Sequence, residues 1–138
     1  MIFITGGAFQ GKLAFARSLP EAPAADVPVT DGGTCLAGEI GDARILYALH
    51  LLTRRALSGD LPLTGGADPM ACLETLLMRA AERHPDLIVI SDELGCGIVP
   101  ADRADRLWRE QTGRLCAALA RRSVQVYRVV CGIGVRIR

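Results

Sequence analysis

The sequence predicts one α/β domain of three layers around a mostly parallel sheet, and three observations predict it. Apolar runs of strand length, Met1–Thr5 and Leu87–Ser91, alternate with helical patterns at 43–58, 69–83 and 101–122. Glycines stand directly after the first run, at Gly6, Gly7 and Gly11, where a strand must turn into a helix. Half of the 138 residues are hydrophobic, enough for a buried core and too many for a disordered chain.

The elements follow in order. Met1-Ile2-Phe3-Ile4-Thr5 reads as a buried strand and residues 12–19 as the first helix. Residues 20–43, rich in Pro, Ala, Gly and Asp and including Asp31-Gly32-Gly33, read as a long, partly irregular connection. Residues 43–58 place Ile45, Leu46, Leu49, Leu52 and Leu57 at a helical period. Gly59 to Pro69 is a break with Gly65-Gly66 as turn material, and Pro69 suits the first turn of a helix over 69–83. His84-Pro85-Asp86 ends that helix, because the residue before a proline avoids helical backbone. Leu87-Ile88-Val89-Ile90-Ser91 is continuously apolar, as a parallel strand covered on both faces is. Gly95–Pro100 is a loop, Asp102 or a neighbour caps a long helix over 101–122, and Val124–Cys131 is a last or near-last strand.

The totals exclude some classes. No apolar run reaches the roughly 18 residues that span a bilayer. The N-terminus lacks a basic leader region and enters a strand directly, so a cytoplasmic location is expected. A net charge of +1 points neither toward nor away from a polyanion, and nothing else calls for nucleic acid. The five cysteines, Cys35, Cys72, Cys96, Cys116 and Cys131, are odd in number and show no C-x-x-C spacing. Reduced, buried thiols are expected rather than a zinc site or a redox dithiol.

Two constellations carry chemistry. Gly6, four residues, then Gly11-Lys12 is the spacing of a phosphate-binding loop, and it sits between a strand and a helix as that loop requires. Successive backbone N–H groups can curl around a phosphate there, with Lys12 as a point charge for its outer oxygens. The candidate nucleotide-binding residues are Gly6, Gly7, Ala8, Phe9, Gln10, Gly11, Lys12 and Leu13. Leu13 stands where the pattern wants a Mg²⁺-binding hydroxyl. With that loop the fold class becomes P-loop NTPase-like, of RecA type; the bland alternative is a glycine turn with a solvated Lys12. Asp92-Glu93 at the carboxyl end of the second strand run is the other constellation. Open α/β sheets bind ligands there, and a strand-end Asp holds Mg²⁺ in phosphoryl-transfer sites. Asp92 is therefore the candidate metal ligand, and Glu93 the group that orders the metal's surroundings or a nucleophile. A helix cap or a loop ion pair is the alternative for both.

The stretch Ser91-Asp-Glu-Leu-Gly-Cys-Gly-Ile-Val-Pro100 is followed by Arg106-Leu-Trp-Arg-Glu-Gln-Thr-Gly-Arg-Leu115 and Val126-Tyr-Arg-Val-Val-Cys-Gly-Ile-Gly134. With the N-terminal loop, these resemble the bifunctional adenosylcobinamide kinase / adenosylcobinamide-phosphate guanylyltransferase family. Its pattern runs G-G-x-R-S-G-K-S at the N-terminus, then N-E-V-G-x-G-I-V-P, R-x-x-R-[DE]-x-x-G-x-x-N and V-x-x-V-x-x-G. The resemblance covers residues 1–17 and about 87–138. It implies a transferase of cobalamin biosynthesis that uses GTP, ATP and Mg²⁺. Such an enzyme phosphorylates the aminopropanol hydroxyl of adenosylcobinamide, then attaches GMP through a guanylylated histidine. It also implies a homotrimer with sites near subunit interfaces.

The chain departs from that pattern in two places. The loop reads Phe9-Gln10-Gly11-Lys12-Leu13 where the family has Arg-Ser-Gly-Lys-Ser. Between residues 20 and 45 a strand-sized segment is missing, with the R-I-x-x-H helix that bears the family's histidine. His50 is then the candidate nucleophile, since His84 before a proline suits a helix end. The other reading of His50 is a packed histidine on the helix after the family's third strand. Arg54 and Arg55, one turn on, would offset a triphosphate's charge or form a solvated face. Trp108 reads as a core or interface anchor, Met70 and Met78 as core, and Arg103, Arg106, Arg109 and Arg114 as a basic face whose default is solvation. The departures motivate a second functional reading, a catalytically impaired nucleotide- or corrinoid-binding protein.

Overall fold

A computed structural model describes residues 1–64, 66 and 68–138; the expected turn at Gly65-Gly66 lies partly outside them. The elements are β1 (Ile2–Gly6), α1 (Lys12–Ser18), β2 (Thr30–Asp31), α2 (Ala37–Ile40), β3 (Ile45–Tyr47), α3 (Leu49–Ser58), α4 (Pro69–Arg83), β4 (Ile88–Asp92), α5 (Arg103–Arg122), β5 (Gln125–Val130) and β6 (Ile133–Arg136). The strands form one six-stranded sheet in the order β2-β3-β4-β1-β5-β6. Every neighbouring pair is parallel except β5 with β6.

Successive strand residues point to opposite faces, so each strand feeds two cores. Phe3, Leu46, Val89 and Val126 join Leu49 and Leu52 of α3, Leu73 and Leu77 of α4, and Leu115 and Leu119 of α5. Ile2, Ile4, Ile45, Ile88, Ile90 and Val129 join Ala16 of α1, with Leu13 and Phe15 packed alongside. That makes three layers, with the mostly parallel sheet between them, as the sequence predicts.

The two longest helices keep their expected signals. Pro69 opens α4, and Asp68 caps it by accepting the Met70 N–H at 2.9 Å. The Asp102 carboxylate accepts from the amides of Ala104 and Asp105 at 2.7 and 3.1 Å, satisfying two free donors at the start of α5. His84 caps the end of α4, at the amino-terminal edge of β4.

Two expectations are corrected, the helix over 43–58 and the buried thiols, and two are borne out in finer detail. Residues 43–58 do not form one helix: Ile45–Tyr47 is a strand between β2 and β4, and Ala48, in left-handed backbone at φ 56°, breaks the chain before α3. Ile45, Leu46, Leu49 and Leu52 are all fully buried, so strand and helix residues together mimic one helical period. The 20–43 connection contains β2 and α2, too short to register as periodic runs. A further strand, β6, follows the Val124–Cys131 run; its Ile133 and Val135 are exposed. Of the five thiols Cys35 alone is buried, and Cys96 and Cys131 are exposed. Burial pushes the Cys35 and Cys116 thiols up, away from reactive thiolate.

Candidate functional site

The site lies at the carboxyl edge of β1 and β4, whose last residues Gly6 and Asp92 are register partners. From Gly6 the chain turns through an arc whose Phe9 is in left-handed backbone, at φ 58°, with its ring fully exposed. The arc returns Lys12 to the sheet, where it is buried. Its ammonium donates to the Gly7 carbonyl at 2.6 Å and pairs with the Asp92 carboxylate at 2.7 Å. The solvated lysine of the bland alternative is therefore not what is found. Leu13 turns its side chain into the apolar cluster under α1. Gln10 reaches the turn after β5, its Oε1 accepting the Cys131 N–H at 2.6 Å.

His50 stands in the first turn of α3, directly after β3. Its Nδ1 accepts the backbone N–H of Asp92 at 3.1 Å, and its Nε2 lies 3.6 Å from the same residue's carboxylate. An accepting Nδ1 assigns the proton of the neutral ring to Nε2. Burial lowers its pKa, with Lys12 acting in the same sense, against the opposing pull of Asp92 and Asp31. Trp108 of α5 donates its indole N–H to the His50 carbonyl at 2.6 Å and carries the Arg54 guanidinium over its ring at 4.7 Å. Behind them the Thr53 and Thr112 hydroxyls share a buried 2.6 Å hydrogen bond that ties α3 to α5.

The structure thus brings Lys12, Asp92 and His50 together. Glu93 is adjacent but differently engaged: its amide donates to the Gly6 carbonyl at 3.0 Å, and its carboxylate pairs with Arg128 of β5 at 3.0 Å. Arg55 is not simply solvated, for it donates to the carbonyls of Gly32 and Cys35. Arg106 is solvent-exposed and Arg109 half-buried, so the basic face is largely solvated as expected, and its guanidiniums also reach loop carbonyls. Arg106 binds the carbonyls of Pro100 and Ala101, and Arg109 those of Gly95, Gly97 and Ile98, so α5 braces the loop that follows Glu93. Arg114 pairs with Glu110 along the helix.

Sequence reasoning missed Arg128 and the reach of Gln10. A charge inside the apolar run Val124–Cys131 was a usable signal for the first. Nothing local signals the second, because the partner amide is 121 residues away in the chain. Among the described residues no three His, Cys, Asp or Glu side chains converge on one point.

The sequence model of the cobinamide kinase / cobinamide phosphate guanyltransferase family matches residues 42–137, leaving the phosphate loop outside the match but adding 42–86 to the resembling stretches. A relative named bifunctional adenosylcobalamin biosynthesis protein CobU, from Salmonella typhimurium, is 39% identical over 64 residues. Its namesake from Escherichia coli is 40% identical over 63 residues. Those alignments take in 46% and 45% of this chain but 35% of each relative's own length. The family match covers well over half of the chain, and it includes Asp92, Glu93, His50 and the arginines of α5. The chain belongs to the cobinamide kinase / cobinamide phosphate guanyltransferase family.

Proposed function

We propose that this chain is a nucleotide-dependent transferase of cobalamin biosynthesis, phosphorylating adenosylcobinamide from ATP or GTP. The observation that carries the reading is the buried Lys12 ammonium on the Asp92 carboxylate, at the carboxyl edge of adjacent parallel strands. A phosphate-binding lysine beside a strand-end carboxylate is the minimal polar machinery of phosphoryl transfer. The loop Gly6–Leu13 receives the phosphates, with Lys12 moving from Asp92 to their oxygens. Glu93, steadied by Arg128, orients the acceptor hydroxyl. In the transfer the hydroxyl oxygen bonds to the terminal phosphorus, the bridging P–O bond breaks, and the hydroxyl proton is released as the nucleoside diphosphate leaves.

Mg²⁺ fits the donor set only in company. It keeps several waters and commonly takes one or two carboxylates plus substrate phosphates, and Asp92 is the carboxylate that would take that role. When bound it neutralises charge building on the phosphates. Leu13 has no side-chain oxygen, so the hydroxyl ligand usual after the lysine would have to be replaced by water or phosphate. His50 holds Asp92 through its backbone N–H and so fixes where that carboxylate starts.

Guanylyl transfer is a second reading, favoured by a neutral histidine beside the phosphate loop. Attack by Nδ1 on the α-phosphorus of GTP would form an N–P bond, expel pyrophosphate and require release of the Asp92 N–H. Incubation with γ-labelled ATP or GTP, Mg²⁺ and adenosylcobinamide tests the first reading. Labelled corrinoid supports it; bound nucleotide without labelled product replaces it with a nucleotide- or corrinoid-binding role. α-Labelled GTP tests the second, since covalent label on the protein, lost in His50→Ala, is its signature. The same reading carries a homo-oligomer, checked by sedimentation.

A further inference from the structure

We infer that Gln10 is a positioning residue that holds the phosphate loop in shape by latching it to the turn between β5 and β6. The geometry stands by itself; its consequence for nucleotide affinity rests on the proposed function. The turn Val130-Cys131-Gly132-Ile133 joins paired residues of β5 and β6, and both central residues are in left-handed backbone, at φ 51° and 78°. A two-residue hairpin turn of that form leaves its central amides outside the ladder. Both are exposed and would otherwise be left to water. Gln10 supplies both acceptors: its backbone carbonyl takes the Gly132 N–H at 2.9 Å, and its side-chain Oε1 takes the Cys131 N–H at 2.6 Å.

Two further contacts make the hairpin a support. Gly11, at φ 79°, lies so close to the turn that a Cβ on it would sit 3.2 Å from the Gly132 Cα. On β6, Gly134 lies under the Phe15 ring of α1, where a Cβ would come within 2.1 Å of the ring. Phe15 also meets Tyr127 of β5 edge to face, with centroids 5.2 Å apart. The hairpin therefore grips the segment before Lys12 through Gln10 and the segment after it through Phe15. Lys12 is the residue between the two grips. Phe9, next to Gln10, is exposed and makes no such contact.

The test compares wild type with Gln10→Met, which keeps the side chain's length but removes the acceptor, and Gln10→Glu, which restores an acceptor. Hydrogen exchange of the Cys131 and Gly132 amides is read without nucleotide, and affinity for ADP and GDP by calorimetry. Expected are exchange at Cys131 roughly two- to tenfold faster in Gln10→Met and slow again in Gln10→Glu, as a lost hydrogen bond of ordinary strength implies. Nucleotide affinity in Gln10→Met should fall about five- to tenfold, with the melting temperature within about 2 °C of wild type. A structural role alone would move the melting temperature and leave affinity in place. Unchanged exchange at Cys131, or unchanged affinity in a wild type that binds nucleotide, overturns the latch. If wild type binds neither nucleotide, the proposed function fails, and the latch is judged by exchange alone: acceleration in Gln10→Met reversed by Gln10→Glu upholds it, and anything else overturns it.

Discussion

Replacing Asp92 by Asn tests the centre of the site, because the change keeps shape and an acceptor oxygen while removing the charge. The Lys12 side chain is 3% exposed and that of Asp92 19%, and they meet at 2.7 Å. Opposite charges about 4 Å apart attract by about 4 kcal/mol in an effective dielectric of 20, before any desolvation is counted. Removing one partner from a fully buried pair costs about 3–5 kcal/mol. Asp92 is only partly buried, the Asn oxygen still accepts from Lys12, and the Gly7 carbonyl remains in place at 2.6 Å. The loss should therefore fall lower, at about 2–3 kcal/mol, or roughly 10 °C in melting temperature for a chain of this size. Binding moves the other way. Without Mg²⁺, a phosphate must take Lys12 from Asp92 and then sit beside that carboxylate. In Asp92→Asn that obstacle is gone, so ADP and GDP should bind about tenfold more tightly without metal, a gain of about 1.4 kcal/mol. With Mg²⁺, wild type should gain affinity and the variant should not. Calorimetry with and without EDTA, beside thermal melts, measures both. A variant as stable as wild type, or one that binds metal-free nucleotide no better, would refute the reasoning that Asp92 is the internal counter-ion of Lys12.

Three other outcomes follow from the same geometry. Burial holds the folded pKa of His50 below the ordinary imidazole value of 6.5, so as pH falls through that value the unfolded chain protonates first. This part of the stability is complete above pH 6.5 and declines below it; His50→Asn, with an acceptor near the Nδ1 position, should flatten the slope of melting temperature between about pH 5.5 and 7.5. Leu13→Ser should raise nucleotide affinity in Mg²⁺ but not in EDTA, since the hydroxyl acts through the metal, while exposing a gap in the apolar cluster that lowers the melting temperature. Asp102→Ala should destabilise by about 1 kcal/mol through loss of the α5 cap, read by urea denaturation.

The parts of the fold legible in the sequence were those whose signals are local. The run Leu87–Ser91 betrayed a strand buried on both faces, and Pro69 and Asp102 marked where helices begin. What failed was segmentation where two periods overlap. Ile45 and Leu46 point to opposite faces of a sheet, yet with Leu49 and Leu52 they fall on a helical stripe. Only Ala48 separates the two elements, and nothing in an alanine announces left-handed backbone. In the candidate site, Lys12 was legible as the lysine of a loop before a helix and Asp92 as a carboxylate at a strand end. Their pairing was not, because it depends on β4 lying beside β1. The arginines of α5 are legible as an exposed basic face, but the reach of Arg106 and Arg109 to carbonyls of a loop upstream is not.

The departures of the loop and its supports share one physical logic. A phosphate loop must present donors to a ligand while it is empty, so something must hold both its shape and its lysine until the ligand comes. Its charge is met from within the sheet, where Asp92 accepts Lys12 and His50 holds the Asp92 amide. Its shape is met from outside, where the β5–β6 turn receives Gln10. These supports sit on opposite sides of the loop, in different layers of contact, and share no side chain. Perturbing one should leave the other intact: Asp92→Asn should change the metal dependence of binding without altering exchange at Cys131, and Gln10→Met the reverse. Combined in one chain, their effects on metal-free affinity should add to within about 0.5 kcal/mol. Marked non-additivity would mean that lysine and loop move as a single unit, with the terminal hairpin reporting directly on the charge state of the site.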